Sequence, residues 1–252
     1  MEIQKIHIQN DPWFALRRFT QARIALGKTG VCIPVHENLQ FKMAHAFARD
    51  AVYTKLDKDI LVKGFGNFDL PFLLLHSRAC DRKEYLQRPD WGRRLNDASV
   101  EILLKERNSV AYDICINIAD GLSATAVNHH SIPLLQQLLP LINSNNFSIA
   151  PICLIEQARV AISDETGNLL KAKISMIILG ERPGLSSADS LGVYLTYMPA
   201  IGNTDESRNC ISNIRTEGLA YKTAAEKIVY LIKESMRLKI SGIQLKDSNR
   251  LT

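Results

Sequence analysis

The sequence lacks the features of membrane, secreted and nucleic-acid-binding proteins. Its 252 residues contain no run of about 20 uninterrupted apolar residues, the length that spans a membrane. Residues 1–5 (MEIQK) carry no apolar signal-peptide core. The net charge of +5 comes from interleaved acidic and basic residues, without the polybasic run that neutralises phosphates. We therefore expect a cytoplasmic protein that binds neither membranes nor nucleic acid.

Metal-ligating and catalytic patterns are also missing. The five cysteines form no C-x-x-C pair and no zinc-like cluster with the six histidines, so reduced thiols and no metal site are expected. His129 and His130 are adjacent and would point to different faces of a helix, which favours an exposed pair over metal ligands. The chain has no G-x-S-x-G, H-E-x-x-H or Walker motif, and we assign no catalytic residue to it.

The composition is that of a folded globular protein, and helical patterns dominate the first hundred residues. Apolar residues make up 46% of the chain and charged residues 23%, a balance unlike that of disordered chains. Capping signals and apolar stripes predict three helices. They are segment 11–27, a segment around the stripe of Leu39, Met43 and Phe47, and segment 89–105. Segment 57–75 stays ambiguous.

From residue 111 the pattern changes to short apolar runs that alternate with helices. Four runs are predicted as strands buried on both faces, as parallel strands are. They are 112–119, 149–155, 174–179 and 193–197. Segment 124–141, broken near Pro133, is long enough for a helical crossover, and a capping box at Thr223 and Glu226 predicts a last helix that ends before Gly242.

This alternation is typical of an α/β fold, an open Rossmann-like, mostly parallel sheet. Residues 1–105 are predicted to form an N-terminal helical extension that packs on the core or on a partner. Residues 106–252 are predicted to form the α/β domain that carries the site.

Three polar segments follow predicted strands, where α/β proteins bind ligands. DGLS at 120–123 opens a helix and could receive an anion, or Asp120 or Ser123 could merely cap that helix. GERPG at 180–184 is either part of a binding site or a turn with solvated charges. Segment 207–215 is dense in side-chain donors that suit an amide-rich or phosphate-bearing ligand, or it is a polar loop. The residues alone thus predict an α/β ligand-binding protein.

The chain resembles a known family at several motifs, which appear in order from about residue 20 to 245. The most specific are GERPGL at 180–185, DSL at 189–191 with Tyr194 and Tyr197, and RNCISNI at 208–214. Further matches are ARI at 22–24, RPDWGRRL at 88–95, DGLS at 120–123 and QARV at 157–160. Together these motifs resemble the small subunit of ethanolamine ammonia-lyase.

The resemblance implies an adenosylcobalamin-dependent lyase that converts ethanolamine to acetaldehyde and ammonia by a radical mechanism. It implies six large and six small subunits in a hetero-oligomer, with the small subunit holding the cobalamin against a large subunit that binds the substrate. Some relatives carry an N-terminal extension that helps packaging into a bacterial microcompartment. This chain starts close to the family core, which leaves that location open.

The family's cobalamin contacts carry over onto Val160, Glu181 and Cys210. The Glu181 carboxylate and the Val160 backbone carbonyl would accept hydrogen bonds from amides on the corrin rim. Gln157 and Ala158 stand where relatives usually have a glycine-containing stretch.

Two alternatives to the lyase subunit stay open at this point. The first is a stand-alone α/β protein that binds a nucleotide or phosphate at 120–123. The second is a structural subunit that scaffolds a complex without touching a cofactor.

Overall fold

The computed structural model describes residues 8–66, 68, 70–107 and 111–246. Its centre is one six-stranded sheet with the strand order β1-β3-β2-β4-β5-β6. The strands are β1 (Phe72–His76), β2 (Ile114–Ala119), β3 (Ile152–Glu156), β4 (Ile174–Gly180), β5 (Leu191–Tyr197) and β6 (Arg208–Ile214). The first four are parallel to one another, and β5 and β6 add antiparallel pairs at one edge.

Helices cover both faces of this sheet. They are α1 (Val35–Tyr53), α2 (Lys58–Phe65), α3 (Arg82–Gln87), α4 (Asp97–Lys105), α5 (Ala124–Ser144), α6 (Ile162–Leu169) and α7 (Tyr221–Leu238). α5 and α7 pack on one face with Ile174, Met176 and Ile178 of β4. α4 and α6 pack on the other face with Ile177 and Leu179, so alternate residues of a fully buried strand enter two cores. No described helix is long and apolar enough to cross a membrane.

The fold class is confirmed, and the four predicted strands are present. One of them differs in direction, since β5 runs antiparallel to β4 where parallel strands were expected. The helical region predicted to break near Pro133 is the single helix α5, which contains both Pro133 and Pro140 and continues to Ser144, so the predicted break is wrong. The predicted capping box is wrong: α7 begins at Tyr221, and Thr223 lies inside the helix.

The N-terminal part differs most from prediction. Segment 11–27 holds only a 3-10 turn at Phe14–Phe19. The ambiguous segment 57–75 divides into α2 and β1, and β1 pairs with β3 at the sheet edge. β1 and α4 thus pack with the α/β core although they precede residue 105, the predicted boundary of the helical extension.

Candidate functional site

Two of the polar segments found in the sequence, DGLS at 120–123 and GERPG at 180–184, meet at the carboxyl ends of β2 and β4. β2 and β4 are parallel neighbours, so the turn at 120–123 lies beside Gly180. The N–H of Leu122 donates to the Gly180 carbonyl at 2.9 Å, and Gly121 has a φ of +57°. A Cβ on Gly180 would overlap the carbonyl oxygen of Ser123. The backbones therefore approach so closely that only glycine fits at position 180.

The start of α5 is capped by Ser123, one of the two predicted candidates. Its Oγ accepts from the N–H of Ala126 at 3.3 Å and donates to the carbonyl of Ala188 at 2.8 Å. The N–H of Leu122 is already taken by Gly180. This turn is therefore hydrogen-bonded to the end of β4 and to the loop that follows it. The Leu122 N–H and the Ser123 hydroxyl are thus already bonded without an anion.

A cleft of about 430 Å³ opens beside these turns. Val160 and Glu181, two of the three predicted cofactor contacts, line this cleft together with Arg159 and Tyr194. The third, Cys210, is the partner of Tyr194 across the β5–β6 pair. The structure thus places Val160 and Glu181 on the cleft and Cys210 next to Tyr194, which lines it.

Glu181 is held by donors from its own chain. Its Oε2 accepts from the Ser190 hydroxyl at 2.7 Å and from the Asn213 N–H at 3.2 Å, and its Oε1 accepts from the Ser212 hydroxyl at 2.6 Å. The bonds to Ser212 and Asn213 cross from β4 to β6. Glu181 is therefore an oriented carboxylate at the cleft rather than a solvated turn charge.

Tyr194 and Cys210 are cross-strand neighbours beside that carboxylate. Burial, and then the neighbouring Cys210, raise the pKa of the Tyr194 hydroxyl. Desolvation raises the pKa of the Cys210 thiol, and the Glu181 charge adds to this rise against the lowering effect of Tyr194. Both groups therefore stay protonated near neutral pH and can act as hydrogen-bond donors.

Gly192 on β5 makes room for this arrangement. A Cβ built there would lie 3.1 Å from Glu181 Oε1 and 3.3 Å from Cε2 of Tyr194. These separations are shorter than ordinary van der Waals contact, so an alanine would push both side chains.

The Val160 carbonyl, the group predicted to accept from the cofactor, is hydrogen-bonded within the chain. It accepts from the Ser163 N–H at 3.2 Å and from the Ser163 hydroxyl at 2.8 Å, in the first turn leading to α6. Both lone pairs of that oxygen are thus used within the chain. The N–H of Val160 donates to no described residue, so the donor rather than the acceptor is available to a ligand.

Tyr85 forms the inner wall of the cleft and is sandwiched between two arginines. The guanidinium carbons of Arg82 and Arg159 each lie 4.5 Å from the centre of its ring. Arg159 also donates to the Tyr85 carbonyl at 2.9 Å. Burial, together with the nearby Asp120 charge, raises the pKa of Tyr85 to about 12 despite the two cations. The wall is therefore a neutral, immobilised ring.

Asp120 fixes the turn that leads to Val160. Its carboxylate accepts from the N–H groups of Gln157 at 2.9 Å and Ala158 at 3.0 Å, and it lies 3.6 Å from Arg82. Burial raises its pKa to about 6, against the lowering effect of Arg82 and the backbone donors. Gln157 has a φ of +54°, in the left-handed region that favours glycine.

The RPDWGRRL motif at 88–95 supports the site from behind. The N–H of Arg159 donates to the Gly92 carbonyl at 2.8 Å. Arg94 donates to both carboxylate oxygens of Glu165 at 2.9 and 3.0 Å, and the Leu95 N–H donates to the same group. This motif therefore locks the start of α6 against the segment that carries Val160.

The donors predicted at 207–215 are mostly used inside the protein. This segment forms the edge strand β6 and not a loop. Arg208 is buried and pairs with Asp164, and the Asn209 amide donates to the carbonyls of Gly242 and Leu245. These side chains therefore stabilise the fold instead of facing a ligand.

The prediction of an exposed histidine pair is half wrong. His129 is exposed, but His130 is buried, with Nδ1 at 2.8 Å from the Tyr221 hydroxyl and Nε2 at 3.3 Å from Asp189. His130 thus joins α5, α7 and the loop before β5. Within the described part of the chain, no group of three metal-ligating side chains could hold an ion.

The sheet and its polar cleft define the class of the protein, an α/β ligand-binding protein with its site at the carboxyl ends of the central strands. Comparison with known proteins identifies the family within this class. Residues 10–246 match the family model of the ethanolamine ammonia-lyase light chain (EutC).

Curated relatives agree with that match. Ethanolamine ammonia-lyase small subunits of Pseudomonas aeruginosa PAO1 and Pseudomonas fluorescens SBW25 are 50% and 49% identical, over 94% and 96% of this chain and 88% of each relative. That of Pseudomonas putida W619 is 48% identical over 97% of this chain and 90% of the relative. The chain belongs to the ethanolamine ammonia-lyase light chain family and is a lyase subunit.

Proposed function

We propose that this chain is the small subunit of an adenosylcobalamin-dependent ethanolamine ammonia-lyase and holds the cofactor against a large subunit. The observation that carries the proposal is the cleft, which is lined by the oriented Glu181 carboxylate and by Val160, with Cys210 next to the lining residue Tyr194. The name of the relatives as small subunits supports a larger partner. A complex of six large and six small subunits belongs to the same proposal.

The residues fit the rim of a corrin ring, which carries amide side chains. Glu181 would accept from an amide N–H through Oε1, which accepts only from the Ser212 hydroxyl, whereas Oε2 already accepts from Ser190 and Asn213. The Val160 N–H and the Cys210 thiol would donate to amide carbonyls. The Glu181 acceptor together with these two donors matches an amide group, which has an N–H to donate and a carbonyl oxygen to accept.

The size of the cleft favours a shared site. Pockets that enclose a drug-sized ligand measure roughly 300–1,000 Å³, and cobalamin is considerably larger than such a ligand. A cleft of about 430 Å³ can therefore hold only one edge of the cofactor. The opposite side would be covered by the large subunit.

The bound cofactor would supply radical chemistry through homolysis of its cobalt–carbon bond. The residues of this chain would bind and orient it: Glu181 fixes one rim position, Tyr85 closes the inner wall, and the Asp120 turn sets the position of Val160. The substrate would bind to the large subunit, which converts ethanolamine to acetaldehyde and ammonia in the complex.

Reconstitution tests this proposal. The small subunit, the large subunit and their mixture would each be given adenosylcobalamin and ethanolamine, and acetaldehyde release and the cobalamin absorption spectrum would be recorded. Turnover is expected from the mixture alone. Acetaldehyde release by the small subunit without its partner, or a cofactor spectrum that does not respond to this chain, would contradict the proposal.

The alternative of a stand-alone phosphate-binding protein has less support. At 120–123, Asp120 faces the 157–158 turn and the Leu122 N–H is bonded to Gly180. The anion site that this alternative needs is thus filled by the protein itself. Titration of the isolated chain with ATP distinguishes the two, since saturable binding is expected only from the alternative.

A further inference from the structure

An exposed apolar stripe lies on α1. Of the 19 residues of this helix, only Ala51 is buried. The predicted stripe of Leu39, Met43 and Phe47 is exposed by 59%, 56% and 59%. Helices in folded proteins gain most of their stability by burying such a stripe against a neighbour. α1 therefore presents an apolar face that the described part of its own chain does not cover.

The segment before α1 extends this face with aromatic side chains. Trp13 and Phe19 are exposed by 68% and 72%. The 3-10 turn Phe14–Phe19 is tied to α1 by an ion pair between Arg17 and Glu37 at 2.9 Å. We define the N-terminal apolar surface as Trp13, Phe14, Phe19, Leu39, Met43 and Phe47.

The area of the N-terminal apolar surface is that of a protein interface. With about 200 Å² for each large side chain, the exposed parts of these six amount to roughly 700 Å². One partner in a standard protein complex buries about 800 Å². Monomeric soluble proteins rarely expose contiguous apolar patches beyond a few hundred Å². A partner is therefore needed to cover this surface.

We propose that the N-terminal apolar surface is the principal docking surface for the large subunit. This inference rests on the proposed function. Arg82 connects α1 with the cleft, because its Nε donates to the Val52 carbonyl at 2.6 Å and its Nη1 to the Gly121 carbonyl at 2.8 Å, while its guanidinium stacks on Tyr85. A partner that closes the cofactor cleft lies next to the end of α1.

The family comparison agrees with this assignment. The family model matches from residue 10 onward, so the surface lies within the matched region and is not an appendage to it. A second copy of this chain is the competing occupant, and it would cover α1 without any requirement to close the cleft.

The test compares two variants of the full chain. Met43→Glu with Phe47→Glu places two charges on the exposed stripe, where an apolar interface would have to desolvate them. Met198→Glu is the control, because Met198 is exposed by 60% and follows β5 at the end of the sheet away from the cleft. Both changes lie on exposed side chains, and circular dichroism checks the fold of each variant.

Association with the large subunit is measured by sedimentation velocity and biolayer interferometry. The double variant is expected to bind at least about tenfold more weakly than the wild type, as for other interface hot spots. The control variant is expected to bind about as tightly as the wild type. Equal binding by the double variant would overturn the docking surface while leaving the proposed function intact. A wild-type chain that does not bind the large subunit would overturn the proposed function itself. Dissociation of a wild-type homodimer by the double change, with unaltered binding to the large subunit, would assign the surface to a second copy instead.

Discussion

The buried Asp120 carboxyl is expected to make the stability of this chain depend on pH. Burial raises its pKa from the ordinary 3.8 to about 6, although Arg82 and backbone donors act in the opposite direction. Between these values the folded chain binds more protons than the unfolded chain, so stability falls as the pH rises from about 4 to about 6. A difference of about 2 pKa units corresponds to about 3 kcal/mol.

The variant Asp120→Asn removes this titration at nearly constant size. Its amide cannot accept from both Gln157 and Ala158, so the variant is less stable by about 1–3 kcal/mol at high pH, before any gain from removing the buried charge. The free energy of unfolding of the wild type relative to the variant should decrease by about 3 kcal/mol between about pH 4 and pH 7. Urea denaturation followed by circular dichroism measures it.

Asp113 provides the control, because its shift has the opposite sign. Burial raises the pKa of Asp113, but the Lys173 ammonium and the Ser148 hydrogen bonds outweigh burial and hold the pKa below its ordinary value. Its stabilising effect is therefore complete above about pH 4 and is lost only as the pH falls further. For Asp113→Asn, the difference from the wild type in the free energy of unfolding should stay constant between about pH 4 and pH 7. An equally constant difference for Asp120→Asn would refute the reasoning.

Three further predictions concern the cleft. Glu181→Ala should weaken cobalamin binding by the assembled complex roughly ten- to hundredfold, since a charge-assisted hydrogen bond contributes about 1.5–3 kcal/mol; an unchanged dissociation constant would make Glu181 a turn residue only. Gly192→Ala should weaken cobalamin binding too, because its Cβ displaces the Glu181 carboxylate, and a normal affinity would contradict the geometry. Gln157→Gly should raise the free energy of unfolding by up to about 1 kcal/mol by relieving a left-handed backbone, as urea denaturation can check.

The central strands were predictable from sequence because they are buried on both faces. β2, β3 and β4 appear as largely apolar runs, in which Asn117, Ser175 and the terminal Glu156 are the polar residues. β6 was missed because only Arg208, Ile211 and Ile214 of this edge strand are buried, so RNCISNI has the polarity of a loop. The capping box at Thr223 was a wrong prediction because a threonine followed three residues later by a glutamate also occurs inside helices. α7 starts at Tyr221 and has no side-chain cap.

The site was less predictable than the fold. Val160, Glu181 and Cys210 lie in three separate elements, and only the register of β4, β5 and β6 brings the last two together. Their roles were inferred from resemblance rather than from residue type. No sequence signal pointed to Tyr85 or Arg82, because a stacked ring becomes visible only when α3 is placed against the cleft.

Perturbed pKa values often mark catalytic groups, but in this chain they mark scaffold. Asp120, with its pKa of about 6, has the protonation range of a general base. Both of its oxygens nevertheless accept backbone hydrogen bonds from the 157–158 turn, and its residue is only 3% exposed. Tyr85 and Tyr194 have raised pKa values and stay neutral. Groups arranged in this way can position a large ligand but cannot exchange protons with a substrate, which agrees with the proposal that the large subunit binds the substrate.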